Sequence, residues 1–158
     1  MSHLEEAVVE LLKQKNFTVT TAESCTAGKL AGRIMNVAGA SEVYNEGYIT
    51  YANAAKEKLL GVKHETLETF GAVSEETARE MAMGAAKEAG ADAALSVTGI
   101  AGPGGGTPEK PVGLVYIGCY VQGEVYVKKC QFTGNRERNR DSSVVQALTF
   151  LREKLLDC

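Results

Sequence analysis

Ser24, Cys25, Tyr51 and Lys56 are the residues whose types and spacing could do covalent chemistry. Ser24 lies in the run Thr21-Ala-Glu-Ser-Cys-Thr-Ala-Gly28, between a β-type stretch and a helix-type stretch. A hydroxyl at such a junction is aimed by the strand. It is expected to face the unpaired N–H groups of the helix start, which can hold a developing negative charge. Ser24 is therefore a candidate nucleophile with an oxyanion site in the same turn. Lys56, in Tyr51-Ala-Asn-Ala-Ala-Lys56, is the candidate base. If Asn53 caps a helix, Lys56 falls in its first turn, where the helix field disfavours an ammonium group. Free lysine titrates near ~10.4, and bringing it to neutrality takes about 4–5 kcal/mol of bias. Burial and a helix start are the usual sources of that bias. Tyr51 could relay a proton or hold the leaving group. The competing reading of Lys56 is a solvated surface lysine beside Glu57. Cys25 competes with Ser24 as nucleophile, but a thiol needs a lowered pKa to react quickly, and no histidine is near it in sequence. Ser24 is preferred.

Two more constellations could bind. Thr98 to Pro111 holds all three prolines of the chain and five glycines, and it begins where a buried strand ends. Loops at strand ends are where α/β proteins place ligands, and glycine lets backbone approach a bound group closely. The Gly-Lys-Ser/Thr of a Walker loop is missing. A mobile surface loop is the other reading, although each proline fixes a dihedral. Arg136, Arg138 and Arg140 crowd the start of the last helix, where cations are electrostatically out of place. A bound anion would relieve that cost. So would solvent, with Glu137 and Asp141 alongside.

The elements that must hold these residues alternate between helix and strand. The apolar pattern predicts helices over 4–15, 25–37, 53–60, 74–89 and 136–156, with one more turn over 66–70. Strands are predicted over 17–22, 44–51 and 92–98, then a hairpin of 112–121 and 125–132 turning at Gln122-Gly123. Ser74 suits an N-cap, and Gly61 and Gly90 suit helix stops. The expected fold is a single α/β domain over 1–158. It is a three-layer α/β/α sandwich on a mixed β-sheet with one antiparallel hairpin.

Composition bounds the function. The chain has 158 residues, a net charge of −3 and 44% hydrophobic residues, enough for a full core without metal or disulfide staples. The charge argues against general nucleic-acid binding. No apolar run approaches a membrane span, and Met1-Ser-His-Leu-Glu-Glu6 lacks the order of a secretion signal. A cytoplasmic setting is expected. The cysteines 25, 119, 130 and 158 form no Cys-x-x-Cys pair, so free thiols and no metal site are expected. Cys119 should face a residue near Tyr126 across the hairpin rather than Cys130.

Residues 21–26, 47–56, 71–74, 98–103 and 110–113 together closely resemble the C-terminal domain of the CinA family. The resemblance covers about residues 5 to 155, and its motifs are several, ordered and specific. Standalone members of that family are nicotinamide mononucleotide deamidases. The resemblance implies Ser24 as nucleophile, Lys56 as general base and Tyr51 as its partner. The backbone N–H groups of Cys25 and Thr26 would hold the oxyanion. Thr98, Gly99, Gly102, Arg136 and Arg140 would lie at the substrate, with the phosphate on Arg136 or Arg140. No cofactor or metal is implied. Ala27 departs from the glycine that many relatives carry, and the family's N-terminal half has no counterpart in this sequence. A homodimer is expected. The alternatives are a non-catalytic nucleotide-binding module of the competence-associated type, or a serine–lysine amidase for another small amide.

Overall fold

The computed structural model describes residues 3–158. Met1 and Ser2, part of the expected domain and of its acidic N-terminus, lie outside the described residues. Among these, six α-helices and five strands follow in the order α1 (Leu4–Lys15), β1 (Val19–Glu23), α2 (Lys29–Met35), β2 (Tyr48–Ile49), α3 (Asn53–Leu60), α4 (His64–Phe70), α5 (Glu75–Ala89), β3 (Ala93–Gly99), β4 (Leu114–Val121), β5 (Glu124–Gln131) and α6 (Arg136–Asp157). The sheet order is β2-β1-β3-β4-β5. The pairs β1–β2 and β1–β3 are parallel, while β3–β4 and β4–β5 are antiparallel. This is the mixed sheet of the expected three-layer α/β/α fold.

The layers follow from the pleat. Alternate residues of a strand face opposite sides, and both faces here are covered. Val19, Leu95 and Val97 join the cluster formed with α1, α2 and α6, through Val8, Leu12, Leu30, Ile34, Leu148 and Leu151. Ala22 and Ala94 face the other way, onto Leu60, Leu67, Met81 and Ala85 of α3, α4 and α5. Small residues on that side let α5 sit close to the sheet and to α3. A Cβ on Gly84 would lie 1.8 Å from the Leu60 carbonyl oxygen.

Several boundaries move from their expected places. The strand expected over 44–51 shrinks to Tyr48–Ile49, with an isolated bridge from Tyr44 to Val19. Between them, the Glu46 carbonyl accepts from the Thr20 hydroxyl instead of joining a ladder. The helix expected over 25–37 begins only at Lys29. Ala27 (φ 46°) and Gly28 (φ 100°) are left-handed there, which a right-handed helix excludes. The turn expected at 66–70 is a seven-residue helix. Strand β4 starts at Leu114 because Gly113 (φ 91°) cannot extend it. The hairpin turns at Gln122 (φ 48°) and Gly123 (φ 90°), the two positive φ values of a type I′ turn. Cys119 pairs with Tyr126, and all four cysteines are free.

From β1 the chain runs through α2 on one face of the sheet to β2, then returns through α3–α5 on the other face to β3, on the far side of β1. Adjacent parallel strands whose connections diverge leave a crevice at their carboxyl ends. Ser24 follows the last residue of β1, and Thr98 and Gly99 end β3.

Candidate active site

Ser24 is held by its own backbone before any side chain helps. Its N–H donates to the Val97 carbonyl at 2.9 Å, which extends the β1–β3 ladder by one residue. Its side chain therefore stands at the edge of the crevice. Lys56 comes from α3, whose N-cap is Ala52, so Asn53 is the first helical residue rather than the cap. The Lys56 side chain is 1% exposed, against the solvated alternative. Its Nζ lies 3.0 Å from Ser24 Oγ, 2.8 Å from the Thr50 carbonyl oxygen and 3.3 Å from the Tyr51 carbonyl oxygen.

Those three neighbours accommodate either form of the amine: an ammonium would donate to all three oxygens. A neutral amine has two N–H bonds and one lone pair. Carbonyl oxygens only accept, so in the neutral form the two N–H bonds go to Thr50 and Tyr51, and the lone pair is left for the Ser24 hydroxyl. Burial pushes the Lys56 amine below the ordinary lysine range. Among the described residues no carboxylate acts on it to restore the charge. The Cys25 thiol is pushed up to about 11 by burial, which leaves it a poor nucleophile at neutral pH.

The turn after Ser24 is fixed from two sides. Glu23, 1% exposed, accepts from the Thr26 hydroxyl at 2.7 Å through Oε1. The same oxygen accepts from the Leu30 N–H at 2.8 Å, and Oε2 accepts from the Ala31 N–H at 3.0 Å. The N-cap of α2 is Gly28, which has no side chain, so Glu23 caps that helix from the strand. This overturns the expectation that the helix-start N–H groups face the Ser24 hydroxyl: they are occupied by a carboxylate. The Cys25 and Thr26 N–H groups remain. Among the described residues neither donates to a backbone carbonyl. From the other side, Arg140 Nε donates to the Cys25 carbonyl at 2.9 Å and Nη2 to the Thr26 carbonyl at 3.1 Å.

Ser24 and Lys56 form the floor of a cavity of about 330 Å³. Cys25, Tyr51, Ala72, Val73, Arg136 and the loop from Thr98 to Gly102 with Gly104 and Gly105 complete its walls. Thr26 and Arg140 are not in that lining. Tyr51 stands at the mouth, 65% exposed, and reaches Lys56 through its carbonyl rather than its hydroxyl. Thr98 spends its hydroxyl on the Ala72 carbonyl at 2.7 Å. Helix α6 fastens the glycine loop: Arg136 Nη1 donates to the Gly102 carbonyl at 2.8 Å and Asn139 Nδ2 to the Ala101 carbonyl at 3.0 Å. Asn139 Oδ1 also accepts the Gly134 N–H at 3.0 Å. Glu23 and Asn139 were given no role from sequence. The only signal was a carboxylate ending an otherwise uncharged strand and an amide inside a helix.

A family model described as the CinA C-terminal domain matches residues 1–155. The chain belongs to the CinA family. It is 61% identical over 153 residues to a CinA-like protein of Kosmotoga olearia, covering 97% of this chain and 37% of that protein. The chain thus spans little more than a third of that curated relative. Among solved structures, a CinA superfamily protein from Klebsiella pneumoniae superposes with a TM-score of 0.95 at 36% identity, covering 98% of this chain and 97% of the other. The competence/damage inducible protein CihA from Agrobacterium tumefaciens gives 0.90 at 43% identity, covering 96% and 97%. Among the described residues, no helix is long and apolar enough to cross a membrane.

Proposed function

We propose that this CinA-family domain is an amidohydrolase that converts nicotinamide mononucleotide to nicotinic acid mononucleotide and ammonia. The observation that carries the reading is the 3.0 Å approach of a buried, carboxylate-free lysine amine to Ser24 Oγ at the floor of a cavity. The family resemblance supplies the substrate. Lys56 Nζ takes the Ser24 proton as Oγ attacks the carboxamide carbon. The carbonyl π pair moves to oxygen, beside the free Cys25 and Thr26 N–H groups. The pair then returns, the C–N bond breaks, and Lys56 passes its proton to the leaving nitrogen, which departs as ammonia. The Thr50 and Tyr51 carbonyls accept from the transient ammonium. Water then attacks the acyl ester and gives its proton to Lys56. The C–O bond to Ser24 breaks, and Oγ recovers the proton. In this reading Arg136, which lines the cavity, takes the substrate phosphate. A cytoplasmic setting and a homodimer belong to the same proposal.

Ammonia release from nicotinamide mononucleotide tests it. Ser24→Ala and Lys56→Ala are each expected to lower turnover by at least about 10³-fold, as loss of a nucleophile or its base does. Cys25→Ala should stay within about tenfold of the unsubstituted protein. Activity retained by Ser24→Ala but lost in Cys25→Ala would move the nucleophile. No ammonia from the unsubstituted protein would favour a nucleotide-binding module, and ammonia from other amides alone would favour a different amidase.

A further inference from the structure

Arg140 was expected at the substrate anion, yet its guanidinium is turned onto protein. Nε and Nη2 hold two successive carbonyls, Cys25 at 2.9 Å and Thr26 at 3.1 Å, across 115 and 114 residues of sequence. These are the two carbonyls that follow the Ser24 peptide. A peptide unit is planar, and in a trans unit its N–H is antiparallel to its C=O. The one cis bond among the described residues is Gly102-Pro103, so the units after Ser24 are trans. Fixing the Cys25 carbonyl on Arg140 therefore fixes the Thr26 N–H on the side away from Arg140. Fixing the Thr26 carbonyl does the same for the Ala27 N–H, which donates to the Ser24 carbonyl at 3.2 Å. That bond in turn fixes the unit that carries the Cys25 N–H. Buried Glu23 also grips the Thr26 hydroxyl and the α2 start. The turn has left-handed residues at Ala27 and Gly28, a conformation a free chain adopts reluctantly for alanine.

We infer that Arg140 is a positioning residue for acyl transfer: by holding the Cys25 and Thr26 carbonyls, it fixes the turn after Ser24 and so orients the N–H of Cys25, on the cavity wall, for the oxyanion. This rests on the proposed amidohydrolase reading. Arg140 does not line the cavity, whereas Arg136 does, so the substrate phosphate is assigned to Arg136. A guanidinium suits the task because its planar fork meets the two carbonyls from separate nitrogens in a fixed geometry, whereas a lysine offers a single nitrogen on a flexible stem.

Steady-state kinetics of Arg140→Ala on nicotinamide mononucleotide and on its dephosphorylated riboside separate the roles. The expected result is a loss of about 10²-fold in kcat on both substrates, with KM changed by less than about threefold, as for a small misplacement of transition-state groups. Ethylguanidinium at millimolar concentration should restore part of the rate, and ethylammonium should not. A loss confined to KM for the phosphorylated substrate would overturn the inference and make Arg140 the phosphate ligand. An unchanged kcat on both would overturn it too. Should the unsubstituted protein release no ammonia, the amidohydrolase reading fails, and Ser24 labelling by a fluorophosphonate decides the inference separately. Ser24 Oγ displaces fluoride from phosphorus there, using the same N–H group. Labelling should slow about 10²-fold in Arg140→Ala, and an unchanged rate would contradict the inference. If Arg140→Ala does not fold, as read by circular dichroism, Arg140→Gln takes its place, with an intermediate loss expected and no loss contradicting the inference.

Discussion

At the scale of the residue, Lys56 sets the chemistry. It is among the largest fully buried side chains, and it carries an amine that water would protonate. Burial lowers its affinity for a proton in the folded state relative to the unfolded chain. Between the folded value and the ordinary ~10.4, the unfolded chain binds the extra proton. Stability from this group is therefore fully present above ~10.4 and is lost as pH falls towards the folded value. Urea unfolding should show stability rising with pH across that window, with the slope diminished in Lys56→Met. An identical slope in both proteins would mean that Lys56 is protonated when folded. The sequence made Lys56 legible as a candidate, because a lysine four residues into a short helix is electrostatically odd. It left burial undecided, since Glu57 offered an equally local partner. Arg140 was legible as a misplaced cation but not as a hydrogen-bond donor to residues 25 and 26, because a contact spanning 115 residues has no local signature.

At the scale of the element, α3 delivers Lys56 and α5 sets the position of α3. The α5 backbone at Gly84 touches the Leu60 carbonyl, leaving no room for a methyl group. Gly84→Ala gains about 1 kcal/mol of helix propensity but must push the α3 terminus outward. A net destabilisation of about 1–3 kcal/mol is expected, as for other overpacked contacts. A fall in kcat should accompany it, because Lys56 rides on the displaced helix. Urea unfolding and steady-state rates check both, and a stabilised, fully active variant would refute the packing argument. The helix stripes were readable because their apolar period is long and regular. The start of α2 was not: an apolar pattern from Leu30 backwards cannot show that Ala27 is left-handed or that Glu23 reaches over to cap Leu30 and Ala31. The edge strand β2 was over-read because Tyr48, Ile49 and Tyr51 are β formers, whereas Asn45-Glu-Gly47 between the bridge at Tyr44 and Tyr48 joins no strand.

At the scale of the whole molecule, the order β2-β1-β3-β4-β5 puts the carboxyl ends of β1 and β3 side by side. Ser24, the Thr98 loop and Arg136 then converge from three distant stretches of sequence. The alternation of helix and strand made the layers predictable. The meeting of Ser24 with Lys56 has no local signature, because the two are 32 residues apart and come from different elements. A ligand that binds only the folded state stabilises it by mass action. Nicotinic acid mononucleotide at about 100 times its dissociation constant should add roughly 2.7 kcal/mol. For a domain near this size that raises Tm by about 5–10 °C. Ser24→Ala should keep the shift and Arg136→Ala should reduce it, as read by thermal denaturation. A shift unaffected by Arg136→Ala would place the phosphate elsewhere.

The claim beneath all of this is that Lys56 is uncharged when the protein is folded. Protein with ¹³C-labelled lysine side chains permits a direct titration of each lysine Cε by NMR, with Lys56→Met assigning the resonance. One lysine, absent from the variant, is predicted to titrate well below the ordinary range while the others titrate near ~10.4. If the Lys56 resonance titrates with the rest, the amine is an ammonium at neutral pH, it cannot take the Ser24 proton, and the catalytic account is contradicted.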